Sequence, residues 1–80
     1  MERYTINKHI RKQLQITGSE LAKRVEVSKQ TISNYECGKH CNRPTERIIE
    51  LELDLAIEQC ENELIKEVCE YLKLKREGEV

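Results

Sequence analysis

The stretch TGSELAKRVEVSKQTISNYECGK, residues 17–39, contains two helix starts close together. Thr17 and Glu20 have the spacing of a capping box, in which the threonine hydroxyl accepts the backbone N–H three residues on and the glutamate reaches back to the threonine amide. Ser28 is the next residue of a type that caps helices, and the helix after it is expected to reach Tyr35 or the residue that follows. The stretch therefore predicts a helix of about eight residues, a tight turn and a second helix.

Apolar residues lie where these two helices would face each other: Leu21, Ala22, Val25 and Ile32. Ala22 is small because a larger side chain near the helix crossing would push the helices apart. Val25 and Ile32 then fill the angle between them. Cys37 and Gly38 provide a natural end for the second helix, since glycine enters the left-handed backbone region without penalty.

The composition predicts one all-α domain with an aliphatic core. The 80 residues include three Tyr and neither Trp nor Phe, so Leu and Ile must supply most of the core. One Pro and three Gly are too few turn formers for an all-β chain. Upstream of the quoted stretch, Ile6, Ile10 and Leu14 are spaced by four and predict a helix over about residues 5–14, which Thr5 would cap.

The region after Pro44 is rich in Glu, Leu, Ile and Lys, and it contains neither Pro nor Gly until Gly78. One or two long helices are therefore expected after the polar, basic loop that ends at Pro44. Asp54 would cap a second helix and divide the region into about 45–53 and 55–76. The pattern does not decide between this arrangement and one unbroken helix.

Charge is divided unevenly along the chain. Residues 1–44 hold nine Lys or Arg and four Asp or Glu, a net charge of +5, whereas residues 45–80 hold five and eleven, a net charge of −6. The total of −1 conceals this difference. The first part could therefore face a polyanion, and the second could not.

Several elements of the sequence resemble the Cro/repressor-like (XRE-type) helix-turn-helix family. The resemblance covers roughly residues 6–53 and is most specific over residues 16–39. It rests on Ile10-Arg11, Ile16-Thr17, Glu20-Leu21-Ala22, Val25, Val27-Ser28, Thr31-Ile32-Ser33, Tyr35-Glu36 and Gly38-Lys39. It implies a lambda-repressor-like bundle of four to five helices, to which this chain adds a long C-terminal helix.

By this resemblance the chain binds double-stranded DNA, with the third helix in the major groove. The residues expected to contact base edges are Ser28, Lys29, Gln30, Ser33 and Asn34. Ser28 is also explained as a helix cap, and Lys29 and Asn34 suit either bases or backbone. The residues expected to contact phosphates are Thr17, Ser19, Thr31, Lys39 and Arg43.

The resemblance further implies a partly buried ion pair between Arg11 and Glu36. The sequence also departs from the family pattern, which often has Gly where this chain has Gln15 and Glu26. Each of these two residues is expected to need a left-handed backbone. A third departure is Gly18, where many members carry a Gln that binds phosphate.

The C-terminal region carries an apolar stripe, which we name the C-terminal stripe: Ile57, Cys60, Leu64, Val68 and Tyr71. We expect it to be a dimer interface, because one short domain cannot cover it and a second copy can. The alternative is that this helix folds back over its own core. The predicted organisation is thus a DNA-binding domain over residues 1–54 and a helical dimerisation extension over residues 55–80.

Other function classes find little support. The chain offers two His and no arrangement of residues typical of catalysis, so we expect no enzyme and no cofactor. Cys37, His40 and Cys41 are close in sequence, but a fourth zinc ligand is lacking, and no metal site is expected; a redox-sensing pair of Cys37 and Cys41 is an equally weak alternative. No apolar run suits a membrane span or a signal segment, so a cytoplasmic location is expected. The main rival is a protein-interaction module of the antitoxin or anti-repressor type, which would bind a different regulatory protein or a toxin through the C-terminal helix.

Overall fold

The computed structural model describes residues 2–78 and shows five α-helices. They are α1 (Arg3–Gln13), α2 (Gly18–Val25), α3 (Lys29–Glu36), α4 (Arg43–Glu58) and α5 (Glu63–Arg76). No strand occurs within the described part of the chain. The prediction of an all-α bundle with a C-terminal helix is confirmed.

Side-chain caps begin four of the five helices. In each, an oxygen of the capping residue accepts the N–H three residues on, at 2.9 to 3.1 Å: Thr17, Ser28, Asn42 and Asn62. The two caps predicted from sequence, Thr17 and Ser28, are confirmed. Only α1 lacks such a cap; it begins after Glu2, so the predicted start at Thr5 is wrong.

The C-terminal region forms two helices, but the break is not where Asp54 suggested it. Asp54 lies inside α4, where its carboxylate pairs with Arg76 of α5 at 3.0 Å. The chain instead leaves the helix at Gln59, and Asn62 caps α5. Pro44, predicted in a loop, lies in the first turn of α4, where the missing N–H costs nothing.

The core is formed by buried side chains from all five helices; most are aliphatic, and α3 adds Tyr35 while α5 adds Cys69. The most extensive helix contact joins α1 and α5. These two helices run antiparallel: the Arg3 guanidinium donates to the Arg76 carbonyl at 3.2 Å, while the Cys69 thiol faces the Ile10 carbonyl at 4.0 Å. The C-terminal helix therefore folds back over the core of its own chain.

Candidate nucleic-acid interface

Residues in the left-handed region shape the two turns around α2. Glu26 has φ 58°, and the Val27 amide then donates to the Ala22 carbonyl at 3.0 Å, which closes the end of α2. Gln15, with φ 61°, makes the corresponding turn before α2. The left-handed backbone predicted at both positions is confirmed. Each costs roughly 1–2 kcal/mol relative to an ordinary conformation.

The outward face of α3 is polar and open to solvent. Ser28, Lys29, Gln30 and Ser33 are exposed, and Asn34 is partly exposed. Gln30 Nε2 donates to Asn34 Oδ1 at 2.9 Å, which orders the two amide groups one helical turn apart. The other polar atoms of this pair, Gln30 Oε1 and Asn34 Nδ2, are one acceptor and one donor. Adenine offers the complementary donor and acceptor in the major groove.

Three hydroxyl groups at the starts of α2 and α3 already make hydrogen bonds within the protein. Ser28 Oγ accepts the Thr31 amide at 3.1 Å, and the two hydroxyls of this pair hydrogen-bond to each other at 2.9 Å. Thr17 Oγ1 likewise accepts the Glu20 amide at 3.0 Å. The second bond of a capping box would join the Glu20 carboxylate to the Thr17 amide. Here the Glu20 carboxylate instead forms an ion pair with Arg24 at 3.6 Å. These hydrogen bonds fix the first turns of α2 and α3 within the protein itself, without a ligand.

The residues predicted to contact phosphates are all open to solvent, fully or in part. Thr17, Ser19, Lys39 and Arg43 are exposed, and Thr31 is partly exposed. A shallow groove of about 290 Å³ brings Thr31 and Asn34 of α3 together with residues 40–42 of the following loop. The start of α3 and the loop that leads into α4 therefore form one surface.

An ion pair joins the end of α3 to α1. Arg11 Nε lies 2.6 Å from Glu36 Oε2, and Arg11 Nη2 lies 3.0 Å from Glu36 Oε1, so the contact is bidentate. The side chains of Arg11 and Glu36 are 12% and 9% exposed. The guanidinium also donates to the Ile16 carbonyl at 2.8 Å, next to the Gln15 turn. This one side chain thus connects α1, the turn before α2 and α3.

A polar network that sequence reasoning missed joins α3 to α1 and α5. Asn7, 1% exposed, donates to the Tyr35 hydroxyl at 2.6 Å and to Glu50 at 3.2 Å. Arg76 donates to Asn7 Oδ1 at 2.8 Å. Burial raises the pKa of Tyr35 to about 12. The hydrogen bond from Arg76 lowers the pKa of Glu77.

One signal in the sequence could have indicated part of this network. Asn7 lies next to Ile6 and three residues before Ile10, on the face of α1 that is turned toward the core. A polar side chain at such a position needs a hydrogen-bond partner. Its partner Arg76 is 69 residues away, so no local pattern could identify it.

The structure divides the C-terminal stripe into a buried and an exposed part. Ile57 is 2% exposed and lies in the core of the subunit, so it is not available to a second copy. Cys60 is partly exposed. Leu64, Val68 and Tyr71 are 75%, 43% and 51% exposed, with Lys75 Nζ lying 5.6 Å from the Tyr71 ring centroid. The surface open to a partner is therefore the exposed side of α5.

A second exposed apolar stripe, which the sequence analysis did not single out, lies on α4. It consists of Ile48, Leu51 and Leu55, each close to half exposed. Glu52, which lies between these residues in sequence, pairs with Arg24 of α2 at 3.4 Å.

The cysteines are free thiols in different surroundings. Cys37 is exposed, whereas Cys69 is fully buried, and burial raises the pKa of Cys69 to about 11. Burial also raises the pKa of Cys41. Between residues 2 and 78, no three side chains of the His, Cys, Asp or Glu types come together as metal ligands would.

Comparison with known proteins gives one match. Residues 8–45 match the family model described as helix-turn-helix. No curated protein and no solved structure gives a significant match to the chain.

Over residues 2–78, the helices fall short of the length and hydrophobicity that crossing a membrane demands.

Proposed function

Because residues 8–45 place the chain in the Cro/repressor-like helix-turn-helix family of DNA-binding transcription regulators, we propose that it is a repressor that binds an inverted repeat as a homodimer. The observation that carries this proposal is the exposed polar face of α3, which presents Gln30, Asn34 and Ser33 around a capped helix start. A helix of this kind fits the major groove, where amide side chains distinguish bases.

We assign two kinds of contact to the interface. Lys29, Gln30, Ser33 and Asn34 contact base edges, and Ser28 adds to them while it caps α3. Thr17, Ser19, Thr31, Lys39 and Arg43 contact phosphates, since these polar or basic side chains are all at least partly exposed. The amides at the start of α2 supply phosphate donors where the family often has a Gln and this chain has Gly18.

Selection of bound sequences from a random DNA pool tests the assignment. We expect the selected site to be an inverted repeat whose half-sites lie one DNA turn, about 34 Å, apart. Gln30→Ala should relax the preference at one position of each half-site, because it removes a base contact. Lys39→Ala should weaken binding to all sequences and reduce the salt dependence, because it removes a phosphate contact. Equal effects of both variants on selected and random DNA would contradict these roles.

The functional division of the chain is also a proposal. Residues 1–54 read DNA, and residues 55–80 supply the exposed side of α5, through which two copies pair by Leu64, Val68 and Tyr71. The negative net charge of residues 45–80 favours an orientation of this part away from the phosphates. Cys60, at the edge of this surface, contributes its partly exposed side chain.

The dimer is tested by placing a charge on this surface. Leu64→Glu and Tyr71→Glu should give monomers in analytical ultracentrifugation, with unchanged helical content, because both residues are exposed in the subunit. Binding to the inverted repeat should fall steeply, while weak binding to a half-site remains. Glu70→Gln, also exposed on α5, is the matched control and should stay dimeric. Monomeric wild-type protein would refute the proposed interface.

The second candidate function is a protein-interaction module that binds a regulatory protein through α5. The exposed apolar side of α5 suits this role as well as it suits a second copy. A gel shift with random genomic fragments separates the two: salt-sensitive selection of an inverted repeat supports the regulator, and binding no tighter than micromolar supports the module.

A further inference from the structure

We propose that Arg76, in the last turn of α5, is a positioning residue for DNA recognition, because it fixes Asn7 and through Asn7 the recognition helix α3. This inference rests on the proposed reading of DNA by α3. It assigns to the C-terminal helix a role in recognition that is separate from dimerisation.

The Arg76 guanidinium is almost completely enclosed. Its side chain is 1% exposed, and its three nitrogens are all used within the subunit. Nη1 donates to Asn7 Oδ1 at 2.8 Å, Nη2 donates to both oxygens of Asp54 at 3.0 and 3.1 Å, and Nε donates to Glu77 at 3.0 Å. A charge buried in this way has one well-defined position, since losing a partner would leave it poorly solvated.

Arg76 determines which way the Asn7 amide points. A guanidinium has donors only, so it must face the Asn7 oxygen and not the nitrogen. The Asn7 NH₂ group is thereby directed to the Tyr35 hydroxyl, at 2.6 Å, and to Glu50, at 3.2 Å. If the Asn7 amide were flipped, its NH₂ group would face the N–H donors of Arg76, and no hydrogen bond could form between them. The position of the Arg76 guanidinium therefore determines the hydrogen bond to the Tyr35 hydroxyl through one side chain, that of Asn7.

Tyr35 is one of the few contacts that hold α3 in place. Among the eight residues of α3, only Ile32 and Tyr35 are buried. The apolar contacts of Ile32 have no preferred direction, whereas the Tyr35 hydroxyl accepts a directed hydrogen bond from Asn7, and Glu36 at the end of α3 pairs with Arg11. Asn34, proposed to contact bases, is the neighbour of Tyr35 in the chain. A small rotation of α3 about its axis would misplace the amide pair of Asn34 and Gln30.

A double-mutant cycle on DNA affinity tests the inference with the full chain. Arg76→Met should weaken binding to the selected DNA roughly 2- to 30-fold, the range of mutations that act through packed networks. Tyr35→Phe, which removes only the hydroxyl, should cause a loss of similar size. In the double variant the losses should not multiply, because both changes break the same connection. Lys73→Met, in the same region of α5 and equal in charge change, is the control and should bind as the wild type does.

A conservative variant separates positioning from simple loss of the fold. Arg76→Lys can donate to Asn7 but cannot also hold Asp54 as a fork, so it should recover part of the lost affinity. The NMR resonances of the Asn7 side-chain amide should move in Arg76→Met without DNA and stay near the wild-type position in Lys73→Met. Helical content, measured by circular dichroism at the same temperature, should be unchanged in every variant compared.

The outcomes are distinct. If the wild type binds DNA and the losses of Arg76→Met and Tyr35→Phe multiply in full, the inference is overturned and the proposed function stands. If Arg76→Met binds as tightly as Lys73→Met, the inference is also overturned. If the wild type selects no DNA sequence, the proposed function fails, and the inference fails with it.

Discussion

Removal of one partner of the Arg11–Glu36 pair should be among the most damaging single changes near the recognition helix. The pair is bidentate, at 2.6 and 3.0 Å, and both side chains are about nine-tenths covered. Breaking a fully buried pair costs about 3–5 kcal/mol, and the remaining exposure places this one lower, at about 2–3 kcal/mol. An 80-residue protein has a free energy of unfolding of about 4–12 kcal/mol. Glu36→Ala should therefore lower Tm by about 8–24 °C.

Urea denaturation of Arg11→Met, Glu36→Leu and the double variant gives the coupling between the two side chains. The double variant should be more stable than the sum of the single losses predicts, because it removes both charges together. Glu52→Gln is the control: its partner Arg24 is 35% exposed and their contact is 3.4 Å, so the loss should be no more than about 1 kcal/mol. Additive losses for Arg11 and Glu36, with a coupling under about 0.5 kcal/mol, would refute the reasoning.

Three further changes test other parts of the fold. Glu26→Gly should raise the free energy of unfolding by about 0.5–1 kcal/mol in urea denaturation, because Gly enters the left-handed region without the steric cost; a loss would contradict this. Gly38→Ala should lower Tm more than Gly78→Ala does: both have positive φ, 77° and 81°, but only at Gly38 would the added Cβ meet another side chain, at 2.6 Å. Tyr35, with its pKa raised to about 12, keeps its proton longer in the folded than in the unfolded state, so stability should fall as pH rises from about 10 to 12, by about 2–3 kcal/mol. Absorbance at alkaline pH should show one of the three tyrosines ionising late, and Tyr35→Phe should remove that step and the associated loss of stability.

Local features could be predicted from the sequence because their physical causes are local. Thr17 and Ser28 cap helices by bonding to an amide three residues away. The left-handed Glu26 was expected from the resemblance, since the family often has Gly at that position of the turn. Asp54 could not be placed in this way. It has the chemistry of a cap, yet it lies inside α4, where its carboxylate pairs with Arg76, 22 residues on.

The exposure of the C-terminal stripe could not be predicted from the sequence either, because it too depends on contacts between distant residues. Ile57 and Leu64 fit one helical period in the sequence, yet the chain turns between them, and Ile57 is buried while Leu64 is exposed. Helical periodicity identifies a face and does not say which neighbour covers it. The network of Asn7, Tyr35 and Arg76 was beyond sequence reasoning for that reason, since each side chain acquires its role from another helix.

The bond between Arg76 and Asn7 also has a consequence for synthesis of the protein. Asn7 is translated 69 residues before its partner, so α1 stays without its final neighbour until α5 has been translated. A copy that stops short of Arg76 would leave Asn7 Oδ1 without the guanidinium that donates to it. By the role proposed for Arg76, α3 would then lack its fixed orientation. By the role proposed for Arg76, copies that end before this residue should therefore bind DNA more weakly than copies that contain it.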